Sequence, residues 1–163
     1  VPKKFKIKKD TFYFKWIFDC SIKDVLNIRN QPNVLNFFVN DQPISLKEHN
    51  QFLMNYDSLD RIDFIIVQEK THKLVGSVYL AKTKIGMEIG KYIGNKDFLG
   101  QGIAKKFTNE FILFIIKYFS EINTIFSKTK FINKKNINLN YSLGFKDQGM
   151  NTKGFLLMKK ELY

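Results

Sequence analysis

Residues 87–106, MEIGKYIGNKDFLGQGIAKK, hold the residue types and spacing most able to do chemistry. They read as a β-strand, a short turn and a Gly-x-Gly-Ile-Ala run that opens a helix. Gly100 and Gly102 carry no side chains, so the backbone N–H groups around them stay bare. The helix they open adds the positive end of its dipole beside those donors. Together these features make a seat for an anion, and a pyrophosphate suits it well.

Other elements must hold this seat in place. Residues 86–94 alternate Met87, Ile89 and Ile93 on one face with Glu88 and Tyr92 on the other, the period of a strand. A long helix over 102–119 carries Ile103, Phe107, Phe111, Phe114 and Tyr118 at helical spacing as its buried stripe. Upstream, 62–68 and 74–82 form a hairpin across a Lys-Thr-His-Lys turn that leaves His72 on the surface. A first strand is expected over 11–18, after a solvated lead-in at 3–9. Ser21 with Asp24 starts a helix that Pro32 ends or kinks, and 33–44 follow as a loop or irregular helix. Ser45 and Glu48 have the spacing of a capping box for a short helix carrying Phe52 and Leu53. Downstream come a strand over 123–129, a helix over 133–143 closed by Gly144, and a terminal strand pair ending near Leu162.

With 163 residues, 44% of them apolar and 15% aromatic, the chain is expected to fold as one domain over 1–163. No run reaches the roughly 18 apolar residues of a membrane span; residues 111–116, between Glu110 and Lys117, read as buried helix. No secretory signal is visible, and the lone Cys20 suits a reducing cytoplasm. The formal charge of +12 fits anionic ligands, or simply a Lys-, Asn- and Ile-rich composition in which only Arg29 and Arg61 are arginines. The basic residues are scattered and form no recognised motif, so neither a nucleic-acid nor a membrane partner is expected. There is no His-Glu-x-x-His, no Cys-x-x-Cys and no Gly-Lys-Ser/Thr loop, and Lys105 stands where a dinucleotide fingerprint needs a third small residue. No metal is expected.

The Leu99-Gly100-Gln101-Gly102-Ile103-Ala104 run resembles the acetyl-CoA-binding motif of the GCN5-related N-acetyltransferases, Arg/Gln-x-x-Gly-x-Gly/Ala, with Leu99 replacing its polar first residue. Asn133 to Phe145, with Asn133, Gly144 and Phe145 in register, is similar to the family's Asn-x-x-Ala-x-x-x-Tyr-x-x-x-Gly-Phe segment. The order β-α-α-β-β-β-α-β-α-β agrees with both. The resemblance implies an α/β (α+β) fold whose mixed, mostly antiparallel sheet of about seven strands is flanked by helices and splayed between strands 4 and 5. It implies acetyl-CoA as co-substrate, with Gln101, Gly102, Ala104 and Lys105 holding the pyrophosphate. Ile93 would be a backbone partner for the pantetheine arm or the thioester carbonyl, Asn133 would meet the arm, and Tyr92, Gly94, Leu99, Gly100, Ile103 and Asn140 would complete the cofactor contacts. Glu88 is the implied general base, acting through water on the acceptor ammonium. Where relatives carry a tyrosine that protonates the departing thiolate, this chain has Asn140. Tyr141 is adjacent but turned by about 100° around the helix, a weak stand-in for that acid.

The segments 28–33 and 44–52 resemble the N-acetyltransferases of the pseudaminic-acid pathway, which acetylate a UDP-linked 4-amino-4,6-dideoxy sugar. That resemblance implies a nucleotide-sugar acceptor met by Arg29, Phe38, His49 and Phe52, in a monomer or homodimer serving surface-glycan synthesis. Two alternatives stand beside it: an N-terminal acetyltransferase of the ribosomal-protein type, and a coenzyme-A-binding module that has lost catalysis. A polyamine acceptor would call for clustered carboxylates, and the acidic residues here are dispersed.

Overall fold

The structure, a computed structural model, describes residues 1–150 and 153–163. Among these residues eight strands form one sheet in the order β1-β2-β3-β4-β5-β6-β8-β7. They are β1 (Phe5–Ile7), β2 (Asp10–Trp16), β3 (Arg61–Gln68), β4 (Leu74–Thr83), β5 (Gly86–Ile93), β6 (Thr124–Lys130), β7 (Lys146–Met150) and β8 (Phe155–Glu161). The helices are α1 (Ile22–Arg29), α2 (Pro32–Leu35), α3 (Leu46–Met54), α4 (Ile103–Tyr118) and α5 (Lys134–Ser142). Every pairing is antiparallel except β5 with β6, which run parallel and share one register pair, Glu88 opposite Phe126. The expected splay is therefore present, and it opens the sheet beyond Glu88.

Two apolar clusters sandwich the sheet. On one face, Ile103, Phe107, Phe111 and Ile115 of α4 meet Val78, Leu80 and Ile89. Removing Phe107 or Phe111, both wholly buried, would cost about 3–5 kcal/mol. On the other face, Val25 and Ile28 of α1 pack with Ile65, Val67 and Tyr56. Gly94 permits that contact, since a Cβ there would lie 2.2 Å from the Ile28 carbonyl oxygen.

Local chemistry starts the helices where the sequence indicates. Ser21 accepts from the Asp24 N–H, and the Ser45–Glu48 capping box is complete, with bonds of 3.1 and 2.7 Å.

Three expectations need correction. The lead-in contains β1, which turns back at Lys8 (φ 53°) so that Phe5 stacks on Phe12 at 5.3 Å. The sheet accordingly has eight strands. Pro32 opens α2, where its fixed φ and missing N–H suit a first helical position. The buried stripe of α4 runs on through Ile115, which is fully buried, while Tyr118 is 59% exposed.

Candidate functional site

The splay between β5 and β6 opens into a cleft of about 500 Å³. One wall is β5, another is β6 with the start of α5, and the loop into α4 closes the mouth. At that mouth Gly100 and Gly102 adopt φ of +71° and +77°, left-handed values that glycine takes without strain. A Cβ at either position would meet no atom within 4 Å, so the space before them is open. Gly102 caps α4 without a side-chain bond. Among the described residues, no acceptor meets the backbone N–H groups of residues 100–105. Six bare donors at the positive end of a 16-residue helix form an anion seat. Among the described residues, four lysines line the cleft, Lys91, Lys105, Lys128 and Lys135, against a single carboxylate, Glu88.

β5 presents different chemistry on its two faces. Toward α1 and α3 it shows Glu88, Gly90 and Tyr92. The Tyr79 ring lies over Gly90, where a Cβ would come within 2.2 Å of it. Burial raises the Glu88 carboxyl above its ordinary range, and Lys128 and Arg61 pull it partly back. A carboxylate raised in this way is a better proton acceptor at neutral pH. Behind it Asp63 accepts two 2.7 Å bonds from Arg61 and one of 2.9 Å from the Tyr56 hydroxyl. The Arg61 guanidinium also sits 4.5 Å from the Tyr79 ring centre, which braces the tyrosine.

Toward α5 the same strand shows Lys91, in line with Ile89 and Ile93. Its Nζ donates to Asn140 Oδ1 at 2.6 Å. Asn140 is fully buried and in turn donates to Ser127 Oγ at 3.0 Å and Met158 Sδ at 3.6 Å. Burial pushes the Lys91 ammonium down to about 7.

The cleft brings together most of the residues singled out from sequence. Glu88, Tyr92, Ile93, Phe38, Leu99, Gly100, Gly102, Ile103, Ala104, Lys105 and Asn133 all line it. Asn133 also caps α5, accepting from the Asn136 N–H at 3.2 Å. The Ile93 carbonyl already accepts from Asn33 Nδ2 at 3.0 Å.

Other candidates lie elsewhere. Gln101 turns back to the Asp97 carbonyl, 2.7 Å away. Gly94 is buried against α1. Asn140 lies behind the cleft wall, held there by Lys91, Ser127 and Met158. Tyr141 is 48% exposed on the outer side of α5. His49 is buried, its imidazole pushed below its usual range by desolvation and partly restored by Asp63. It packs near Phe52, whose ring stands T-shaped to Tyr56 in the second core cluster. Arg29 stacks on Phe38, its guanidinium carbon 3.8 Å from the ring centre, and its Nη1 is buried without a partner among the described residues.

Sequence reading passed over Lys91, Tyr79 and Asn33. The signal for Lys91 was present: it interrupts the apolar series Met87, Ile89, Ile93 on the face of β5 that must be buried. Among the described residues, no group of three His, Cys, Asp or Glu side chains is placed to hold a metal ion, and no helix is long and apolar enough to cross a membrane.

Neither a protein-family model nor a curated protein sequence matches the chain. Solved structures do. A domain from Methanocaldococcus jannaschii superposes with a TM-score of 0.82 at 21% identity, covering 94% of this chain and 99% of that one. The spermidine N-acetyltransferase of Vibrio cholerae, in complex with CoA and spermine, gives 0.73 at 17% identity over 93% and 94%. The ribosomal-protein-S5-alanine acetyltransferase of Vibrio fischeri gives 0.67 at 17% over 98% and 96%. With the sheet order and the splay, these likenesses show the GCN5-related N-acetyltransferase fold.

Proposed function

We propose that this chain is an acetyl-CoA-dependent N-acetyltransferase that passes the acetyl group directly to a primary amine. The observation that carries the reading is the run of unpaired N–H groups over 100–105 at the mouth of the β5/β6 cleft. Such donors, with Lys105 beside them, suit the pyrophosphate of coenzyme A. Asn133 and the β6 wall would flank its arm, and bound acetyl-CoA would supply the thioester. The chain's own part is to orient that thioester between β5 and β6 and to take a proton from the amine. Glu88, half-buried and raised above the ordinary carboxylate range by that burial, is the group proposed to accept it through water.

The acceptor reading rests on charge. Among the described residues, Glu88 is the one carboxylate on the cleft wall, against four lysines, and Arg29, whose Nη1 has no partner there, stacks on Phe38. These groups suit an amine carried on an anionic molecule, and a UDP-linked 4-amino sugar has that form. A polycation would meet repulsion here. Phe38 and Arg29 keep their proposed acceptor roles, whereas His49 and Phe52 serve packing.

Thiol release from acetyl-CoA, run with UDP-4-amino sugars, N-terminal peptides and spermidine side by side, tests both levels. Turnover with the sugars supports the whole proposal. Turnover with peptides or spermidine alone keeps the acetyltransferase and rejects the anionic acceptor. No turnover and no acetyl-CoA binding overturns the proposal.

A further inference from the structure

We propose that Lys91 is the catalytic acid of this site, donating the proton that the coenzyme A sulfur takes up as it leaves, with Asn140 as the residue that positions it. The inference rests on the acetyltransferase reading above. Its starting point is the location of Lys91. Lys105, Lys128 and Lys135 are exposed on the cleft surface, whereas Lys91 projects from the middle of β5 among buried side chains. It is partly exposed and lines the cleft. Its three N–H donors have one acceptor among the described residues, Asn140 Oδ1. No described carboxylate pairs with it. A partly buried ammonium with donors to spare, on a residue that lines a cavity, is costly unless an anionic occupant uses it.

The surroundings explain why Asn140 cannot do this work itself. Its Nδ2 is committed to Ser127 Oγ and Met158 Sδ, its Oδ1 to Lys91, and none of it reaches the cleft surface. An amide also has no proton to give at neutral pH. It fixes the lysine's angle instead.

β5 separates the two proton tasks. Glu88 faces α1 and α3 with Tyr79 and Tyr92, while Lys91 faces α5, and both line the one cleft. An amine entering on the Glu88 face attacks the thioester carbonyl, and the sulfur departs on the Lys91 face. The acceptor ammonium first loses a proton toward Glu88, and its nitrogen then bonds to the carbonyl carbon. As the adduct collapses, the C–S bond breaks and its electron pair passes to sulfur. Sulfur takes a proton from Lys91, giving the free thiol and a neutral amine. The second proton shed by the acceptor nitrogen restores the Lys91 ammonium, and one proton is released overall.

The groups around Lys91 leave its titration to burial. Val78 lies opposite it on β4, Ser127 on β6, Asn140 on α5 and Met158 on β8, none of them titratable in this range. The ionisable groups elsewhere on the cleft wall are Glu88, Tyr79, Tyr92, Lys105, Lys128 and Lys135. An acid poised near neutrality can both give and regain its proton in each turnover.

The test uses the intact protein with coenzyme A and acetyl-CoA as probes. Binding of each is measured by calorimetry for wild type, Lys91→Met and Asn140→Ala, and the thiolate of bound coenzyme A is followed by its ultraviolet absorbance against pH. In wild type, bound coenzyme A is expected to ionise at lower pH than the free thiol. Lys91→Met should abolish that shift, keep acetyl-CoA binding, and lower kcat by about 10²-fold or more. Asn140→Ala should show a smaller loss with a displaced pH–rate limb. An unshifted thiol in wild type, or the same shift in Lys91→Met, overturns the role of Lys91 while leaving the acetyltransferase intact. Failure of wild type to bind either probe overturns the site reading on which it rests.

Discussion

Lys91 on β5 and Asn140 on α5 are joined by a 2.6 Å hydrogen bond that ties the splayed strand to the helix behind it. Neither residue has its ordinary environment, since the amide is wholly enclosed and burial drives the ammonium down to about 7. Of the two, Lys91 lines the cleft whose mouth is the α4 N-terminus, and Asn140 lies behind its wall.

Stability should therefore depend on pH in a direction the pair fixes. Lys91 titrates near 7 when folded, against 10.5 when unfolded, so between those values the unfolded chain binds more protons. Stability rises with pH across that window, is greatest above it, and is lost as pH falls toward 7. Urea midpoints measured through the window should climb for wild type and climb less for Lys91→Met. Parallel slopes would mean that Lys91 is not held in this way.

Asp63 should be structural. It is 4% exposed and is the acceptor for Arg61 and the Tyr56 hydroxyl. Asp63→Ala strands a mostly buried guanidinium and should cost about 3 kcal/mol in urea unfolding. Acetyl-CoA affinity should hold, since Asp63 is not among the residues that line the cleft. A loss below 1 kcal/mol, roughly that of a surface pair, would contradict this.

Glu88→Gln should lower kcat by about 10²-fold and change the shape of the pH profile. The deficit should be greatest below the acceptor amine's own pKa, where a base is needed, and shrink above it. A uniform deficit at every pH would assign Glu88 to binding.

Much of this was legible in the sequence, and the omissions have physical causes. The Ser45–Glu48 box and the Gly100/Gly102 turn are local devices, set by residues within one turn of each other, so spacing reveals them. Phe5 was hidden among lysines because a three-residue edge strand needs only one buried side chain to form. Pro32 was ambiguous because the same ring that stops one helix starts the next. The burial of His49 and Phe52 depends on α3 packing beside Tyr56, which no local pattern encodes. Asn140 was visible as a departure, but its meaning depends on Lys91, 49 positions away in sequence and adjacent only in the folded sheet.

The most direct test of the central claim is calorimetric titration of acetyl-CoA into wild type and Gly102→Glu. The wild type should bind one acetyl-CoA per chain. In Gly102→Glu, a carboxylate stands before the bare N–H groups and the backbone must hold φ of +77° with a side chain, so binding should vanish while the circular dichroism stays native. Retained binding in a folded Gly102→Glu protein would contradict the placement of the pyrophosphate at the start of α4.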